Sequence, residues 1–132
     1  MKEKRQRGNI IHFWFPDIPF SQVPDNIVNN PNVSAKAKGI CWYMWTKRNL
    51  KNWWLYTIDI TNHMKESKSA INSGLKELRK ARYVALVRLY DIQKSQISKF
   101  MWLMFPKPYT EKDLKSVLGL LKEKHIKISI CS

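Results

Sequence analysis

The apolar residues Ile71, Leu75 and Leu78 recur at i, i+4 and i+7, a spacing that predicts a helix with one buried face between Ser67 and Lys80. Ser67 can accept a hydrogen bond from a free amide of the first turn, so it is the expected N-cap. The other face carries Lys68, Ser69, Asn72, Ser73 and Lys76, and the single acid of the stretch, Glu77, falls to one side. Upstream, Ser34 caps an expected helix reaching about Arg48. Ala37, Ile40, Cys41, Met44 and Trp45 form its wide apolar stripe, and Lys36, Lys38 and Lys47 stay outside. Trp42 and Tyr43 widen that stripe and are expected to pack in the core. Thr57 caps a second, brief helix with Ile58, Thr61 and Asn62 in its turns, ending near His63–Glu66. The link to the next helix lacks a glycine. Either Lys65 or Glu66 takes a less typical backbone, or the turn lengthens.

After the basic helix the pattern changes period. Tyr83–Tyr90 is rich in β-formers, Asp91–Ser98 is polar and contains Lys94, and Lys99–Phe105 is a second β-type run ended by Pro106. Two strands around a polar tip predict a hairpin. Nearer the N-terminus, Ile10–Phe15 reads as a strand closed by Pro16, Val23–Val28 as a helical turn opened by Pro24, and Trp53–Tyr56 as a short strand. Near the C-terminus, Thr110 and Asp113 form a capping box ahead of the stripe Leu114, Val117, Leu118 and Leu121. Lys122, Lys124 and His125 suit the negative pole of that helix, and Ile126–Ile130 alternates like a half-buried strand, expected beside Ile10–Phe15. The predicted class is α+β: a winged helix-turn-helix, with a three-helix core and a β-hairpin wing, plus an extra N-terminal strand and a C-terminal helix. Residues 1–8 form a flexible basic arm and 9–106 the winged-helix domain. Residues 107–132 add a helix and strand that pack on it or mediate dimerisation.

Composition narrows the function. The 132 residues are 44% hydrophobic and 12% aromatic, enough for one globular core, and the net charge is +14. Such an excess favours a polyanion: DNA, RNA or an anionic membrane. Membrane association fits poorly, because no basic helix has a bulky apolar face free for lipid and no run of about 18 apolar residues occurs. The N-terminus is charged without a following signal-type core, so a soluble, cytoplasmic protein is expected. Cys41 and Cys131 lack metal spacing, and His12, His63 and His125 are scattered. No nucleophile motif, phosphate loop or paired acids appear, so catalytic residues, metal and cofactor are all expected to be none.

Val23-Pro24 with Ile27, and Val33-Ser34-Ala35-Lys36-Ala37-Lys38-Gly39, are followed by Ser69-Ala70-Ile71, Leu75-Lys76-Glu77-Leu78 and Tyr83-Val84. Taken in order, these segments resemble the winged-helix domain at the start of phage and plasmid replication initiators of Gram-positive bacteria, which include the DnaD-like replisome organisers. The resemblance covers roughly Phe20–Phe105. Arg82 stands where the family usually has a glycine, so that helix end must close differently. The resemblance implies an origin-binding protein in the cytoplasm of a bacterial host, whose second helix of the pair enters the major groove of double-stranded DNA while the wing follows the backbone. The implied DNA-binding set is Lys65, Ser67, Lys68, Ser69, Asn72, Ser73, Lys76, Lys80 and Lys94. Asn72 is the candidate for pairing with an adenine edge, and a single half-site per chain implies a homodimer on repeats. Two other readings stay open: a transcriptional repressor, or a phage-type inhibitor that grips a host replication or defence protein, or a nucleoprotein complex. Tryptophans exposed away from the basic helix favour the last of these; a continuous basic stripe across helix and hairpin favours DNA.

Overall fold

The computed structural model describes residue 12, residues 22–47 and residues 57–131. Among these lie five helices and a three-stranded antiparallel sheet, an α+β arrangement compatible with winged-helix-like order. Apart from His12, the expected strand at 10–15 falls outside the described residues, as do the strand at 53–56 and the basic arm.

Helix α1 (Asp25–Val28) is opened by Pro24 and buries Ile27. Helix α2 (Ala35–Trp45) begins at the expected cap, Ser34, whose Oγ accepts from the Ala37 amide at 3.1 Å. Helix α3 (Thr57–His63) takes Thr57 into its first turn, one position inside the expected cap. Helix α4 (Lys68–Lys80) is capped by Ser67, whose Oγ accepts from the Ala70 amide at 3.2 Å. The α3–α4 link is the longer turn of the two alternatives. It runs over Met64–Ser67, and neither Lys65 nor Glu66 has a positive φ. A Cβ at Gly39 would lie 3.2 Å from Met64 Cε, so the absent side chain lets this turn sit against α2.

The sheet consists of β1 (Val84–Asp91), β2 (Gln96–Met104) and β3 (Ile126–Ile130), in the order β2-β1-β3. The β1–β2 hairpin is longer than its sequence suggests. Gln96 and Ser98 lie in β2, and the tip is reduced to Ile92–Ser95, with Ser95 at φ 52° and the Lys94 amide on Asp91 Oδ1. Polar residues are tolerated there because the outer half of β2 is exposed. The tail strand finds its partner in β1, with Leu89 opposite Ile128; the N-terminal run expected beside it lies outside the described residues.

Alternation along β1 splits the interior in two. Val84 belongs to the helical core with Ile40, Ile60, Ile71, Leu78 and Tyr83. Ala85, Val87 and Leu89 face the other way and pack with Leu103, Phe105 and Leu114. Helix α5 (Glu111–Leu121) covers this second face through Leu114, Val117, Leu118 and Leu121. Both arms of its capping box form: the Asp113 amide donates to Thr110 Oγ1 at 3.2 Å, and the Thr110 amide to Asp113 Oδ2 at 3.0 Å. The Asp113 carboxyl is held below the usual carboxylate range, chiefly by that backbone amide. The helix stops at Leu121 without a basic residue in its last turn, so the expected dipole partners fall beyond it, in the turn where His125 has φ 68°.

Helix α4 ends without glycine. The Arg82 amide bonds Arg79 O at 3.1 Å, the Tyr83 amide bonds Leu78 O at 3.1 Å, and Arg82 itself takes φ 68°. This is the two-bond closure usually built on a left-handed glycine. Tertiary contacts hold the arginine there: its guanidinium lies over the Tyr109 ring at 5.3 Å and pairs with Glu111 at 3.4 Å.

Candidate nucleic-acid interface

Helix α4 is fixed from behind. Ile71, Gly74, Leu75 and Leu78 are buried, and Gly74 is the point of closest approach to α2: a Cβ there would overlap Ile40 Cδ1. Glu77 supplies the second clamp. Its carboxylate accepts from the Ser34 amide at 2.7 Å and from Ser34 Oγ at 2.8 Å, so one residue of α4 caps the N-terminus of α2. The Ser34 amide bond is the main reason the Glu77 carboxyl sits below its ordinary value. A third tie is Tyr83, buried at the start of β1. Its hydroxyl donates to Asn26 Oδ1 at 2.7 Å and accepts from Asn30 Nδ2 at 2.9 Å.

With its back held, α4 presents Lys68, Ser69, Asn72, Ser73, Lys76 and Lys80, all exposed. At 3.6 residues per turn these positions span an arc of about 140° and a length of about 18 Å. No carboxylate lies within that arc, because Glu77 is engaged with Ser34 on the flank. Lys36 of α2 extends the arc, its Nζ reaching Ser73 Oγ at 3.4 Å. Lys65 is exposed in the preceding turn. Ser67 is exposed too, but its hydroxyl already accepts from Ala70, which gives it a structural duty as the cap. Lys94 is not part of this cluster: it stands at the hairpin tip, about 17 Å further along the strand direction than Leu86, where α4 overlies the sheet.

Between α4 and the sheet runs an open groove of about 710 Å³. Asn72, Lys76, Arg79, Lys80 and Arg82 form its basic side, and Leu86 and Trp102 its floor. Arg79 also donates to the Cys131 carbonyl at 2.9 Å, tying α4 to the end of the chain.

No family model matches the chain, and no curated protein or solved structure matches it.

Sequence reasoning did not place Arg79, Lys36 or Arg82 in the DNA-binding set. Arg79 follows Asn72 by seven residues and Lys76 by three, so helical spacing alone placed it on the basic arc. Lys36 enters only through the packing of α2 against α4, and Arg82 through the left-handed turn that closes α4. Trp42, expected in the core, is instead 50% exposed, because α2 turns Ala37, Ile40, Cys41 and Met44 inward and position 42 lies about 150° round the helix from the centre of that face. The Cys41 thiol is buried, and that burial pushes its pKa up to about 11. Among the described residues, no group of three or more His, Cys, Asp or Glu side chains is placed to hold a metal ion, and no helix is long and apolar enough to cross a membrane.

Proposed function

We propose that this is a winged helix-turn-helix protein that binds double-stranded DNA, with α4 in the major groove and the β1–β2 hairpin as the wing along the backbone. The observation that carries the reading is the outward arc of α4, where cations and short donors stand free of carboxylates on a helix locked from behind. An α-helix fits the major groove, about 12 Å wide, and hydroxyl and amide side chains on its outer face meet base edges there. Lys68, Lys76 and Lys80 neutralise phosphates and orient the helix; Asn72, near the middle of the arc, pairs with an adenine edge. Lys94 at the hairpin tip follows the backbone. One such unit reads one half-site, so a homodimer on repeated sites supplies the specificity. Origin binding in phage or plasmid replication, inside a bacterial cytoplasm, is the setting we infer.

The test is fluorescence anisotropy on random duplexes and on duplexes flanking the protein's own gene, across a salt series. The Lys68→Ala/Lys76→Ala variant is expected to bind more weakly everywhere, with a log–log salt slope lower by about two. An unchanged slope overturns the reading. A second reading, a protein partner such as a host replication or defence factor, is favoured by Trp42, the one tryptophan among the described residues that is half-exposed. It predicts that Trp42→Ala removes activity in the host while leaving DNA affinity intact.

A further inference from the structure

The side of the sheet that faces α4 is covered only along its first rungs. Val84 and Met104 pair across the strands and enter the helical core, and the next pair, Leu86 and Trp102, floors the groove. Beyond them the same face continues outward. Arg88 stands between Phe100 on β2 and Ser129 on β3, and Tyr90 between Ile97 and Lys127. Phe100 is 50% exposed and Ile97 45%; Arg88 and Lys127 are exposed and Tyr90 is half-buried. Among the described residues, the hydrophobic side chains packed onto this face end at Trp102. The opposite face of the same rungs is closed by α5, so the exposure is one-sided.

The chemistry of this patch is specific. Two aromatic residues, Phe100 and Tyr90, occupy neighbouring rungs on adjacent strands, on either side of the register shift between Leu89 and Tyr90. A cation lies beside each, and Asp91, the nearest acid in β1, belongs to the other face with Ile126. Arginine beside aromatic rings also suits a protein interface, but lysine is depleted there, and on this face Lys127 and Arg88 have no acid among the strand residues to balance them, which favours a polyanion. Duplex DNA keeps its bases stacked inside, out of reach of rings carried on the face of a sheet. Unpaired nucleotides offer what the patch lacks: base faces for the rings and phosphates for the cations. The groove below α4, with Lys76, Arg79 and Lys80, leads onto the patch and extends the positive track.

We propose that this face of the sheet is a second binding site, for single-stranded DNA, in which bases stack on Phe100 and Tyr90 while Arg88 and Lys127 hold the phosphates. The choice of DNA over RNA rests on the duplex reading above; the site itself does not. A protein with both sites would hold a duplex on α4 and an unwound strand beside it.

The test is anisotropy of the full chain with a labelled oligothymidine about 12 nucleotides long, alongside a duplex probe. Phe100 is half-exposed, so its replacement leaves the cores intact. Phe100→Ala is expected to weaken oligothymidine binding roughly 5- to 150-fold, with Phe100→Trp restoring it and duplex affinity unchanged. Arg88→Ala is expected to lower the single-strand salt slope by about 0.7. Oligothymidine binding that is absent, or indifferent to Phe100→Ala, overturns the proposal even if the duplex is bound. Single-strand binding without duplex binding supports this site and defeats the duplex reading instead. Tighter binding of oligouridine overturns the DNA assignment, and equal displacement by polyglutamate overturns stacking in favour of charge alone.

Discussion

Gly74 sits at the seventh position of the thirteen-residue α4, where an alanine would ordinarily stabilise a helix by about 1 kcal/mol. Here the added Cβ would overlap Ile40 Cδ1, and Ile40 is fully buried. Forcing a methyl into a filled core costs about 1–3 kcal/mol, so the packing penalty exceeds the propensity gain. Gly74→Ala is expected to lose about 1 kcal/mol net, a fall of roughly 4 °C in Tm for a chain of this length. The reasoning makes a sharper claim about the pair. Ile40→Val removes the clashing carbon and alone costs about 1 kcal/mol. In that background Gly74→Ala should become stabilising, bringing the double variant within about 0.5 kcal/mol of wild type, with a coupling near 2 kcal/mol. Urea unfolding followed by far-ultraviolet circular dichroism measures all four corners of the cycle. Stabilisation by Gly74→Ala in the wild-type background, or simple additivity of the two changes, would refute the packing argument.

Tyr83→Phe leaves Asn26 and Asn30 without their shared hydroxyl, and is expected to cost about 1–2 kcal/mol in the same assay. Glu77→Gln weakens the cap on α2 and should cost about 1 kcal/mol at neutral pH. Because the Glu77 carboxyl is depressed from its ordinary 4.5, its stabilisation is present above that value and lost as pH falls through the lower folded-state pKa. The Gln variant should therefore show a flatter acid limb of the stability curve, and an identical limb would count against the clamp. Cys131 should react with a disulfide reagent in the native protein at pH 8, and Cys41 only on unfolding, since it is buried with its pKa raised to about 11. The same shift gives a stability contribution that is full below the ordinary thiol value of 9.0 and declines as pH rises towards 11. Rapid labelling of both thiols in the native state would contradict the burial.

Much of this was legible in the chain. The i, i+4, i+7 spacing of Ile71, Leu75 and Leu78 fixed which side of α4 is buried, and Ser34, Ser67 and Thr110 announced their caps because capping is local. Contacts between distant segments were not legible. Nothing near Glu77 says that its carboxylate will cap a helix beginning 42 positions earlier, at Ala35. The alternation of Ile126–Ile130 identifies a strand but not its neighbour, since any edge with free backbone groups will serve. Trp42 went astray for a different reason: Cys41 to Trp45 are five consecutive apolar residues, which wrap the helix completely and leave no period to read. Arg88 and Phe100 could be joined only after the strand register was known.

The most direct test of α4 as the DNA-reading element is amide chemical-shift mapping of the full chain on titration with a short duplex. The account predicts perturbations concentrated on Lys68–Lys80 and the hairpin tip Ile92–Ser95, with α5 unmoved. Perturbations confined to α2 around Trp42 or to α5, or none at all at low salt, would contradict it.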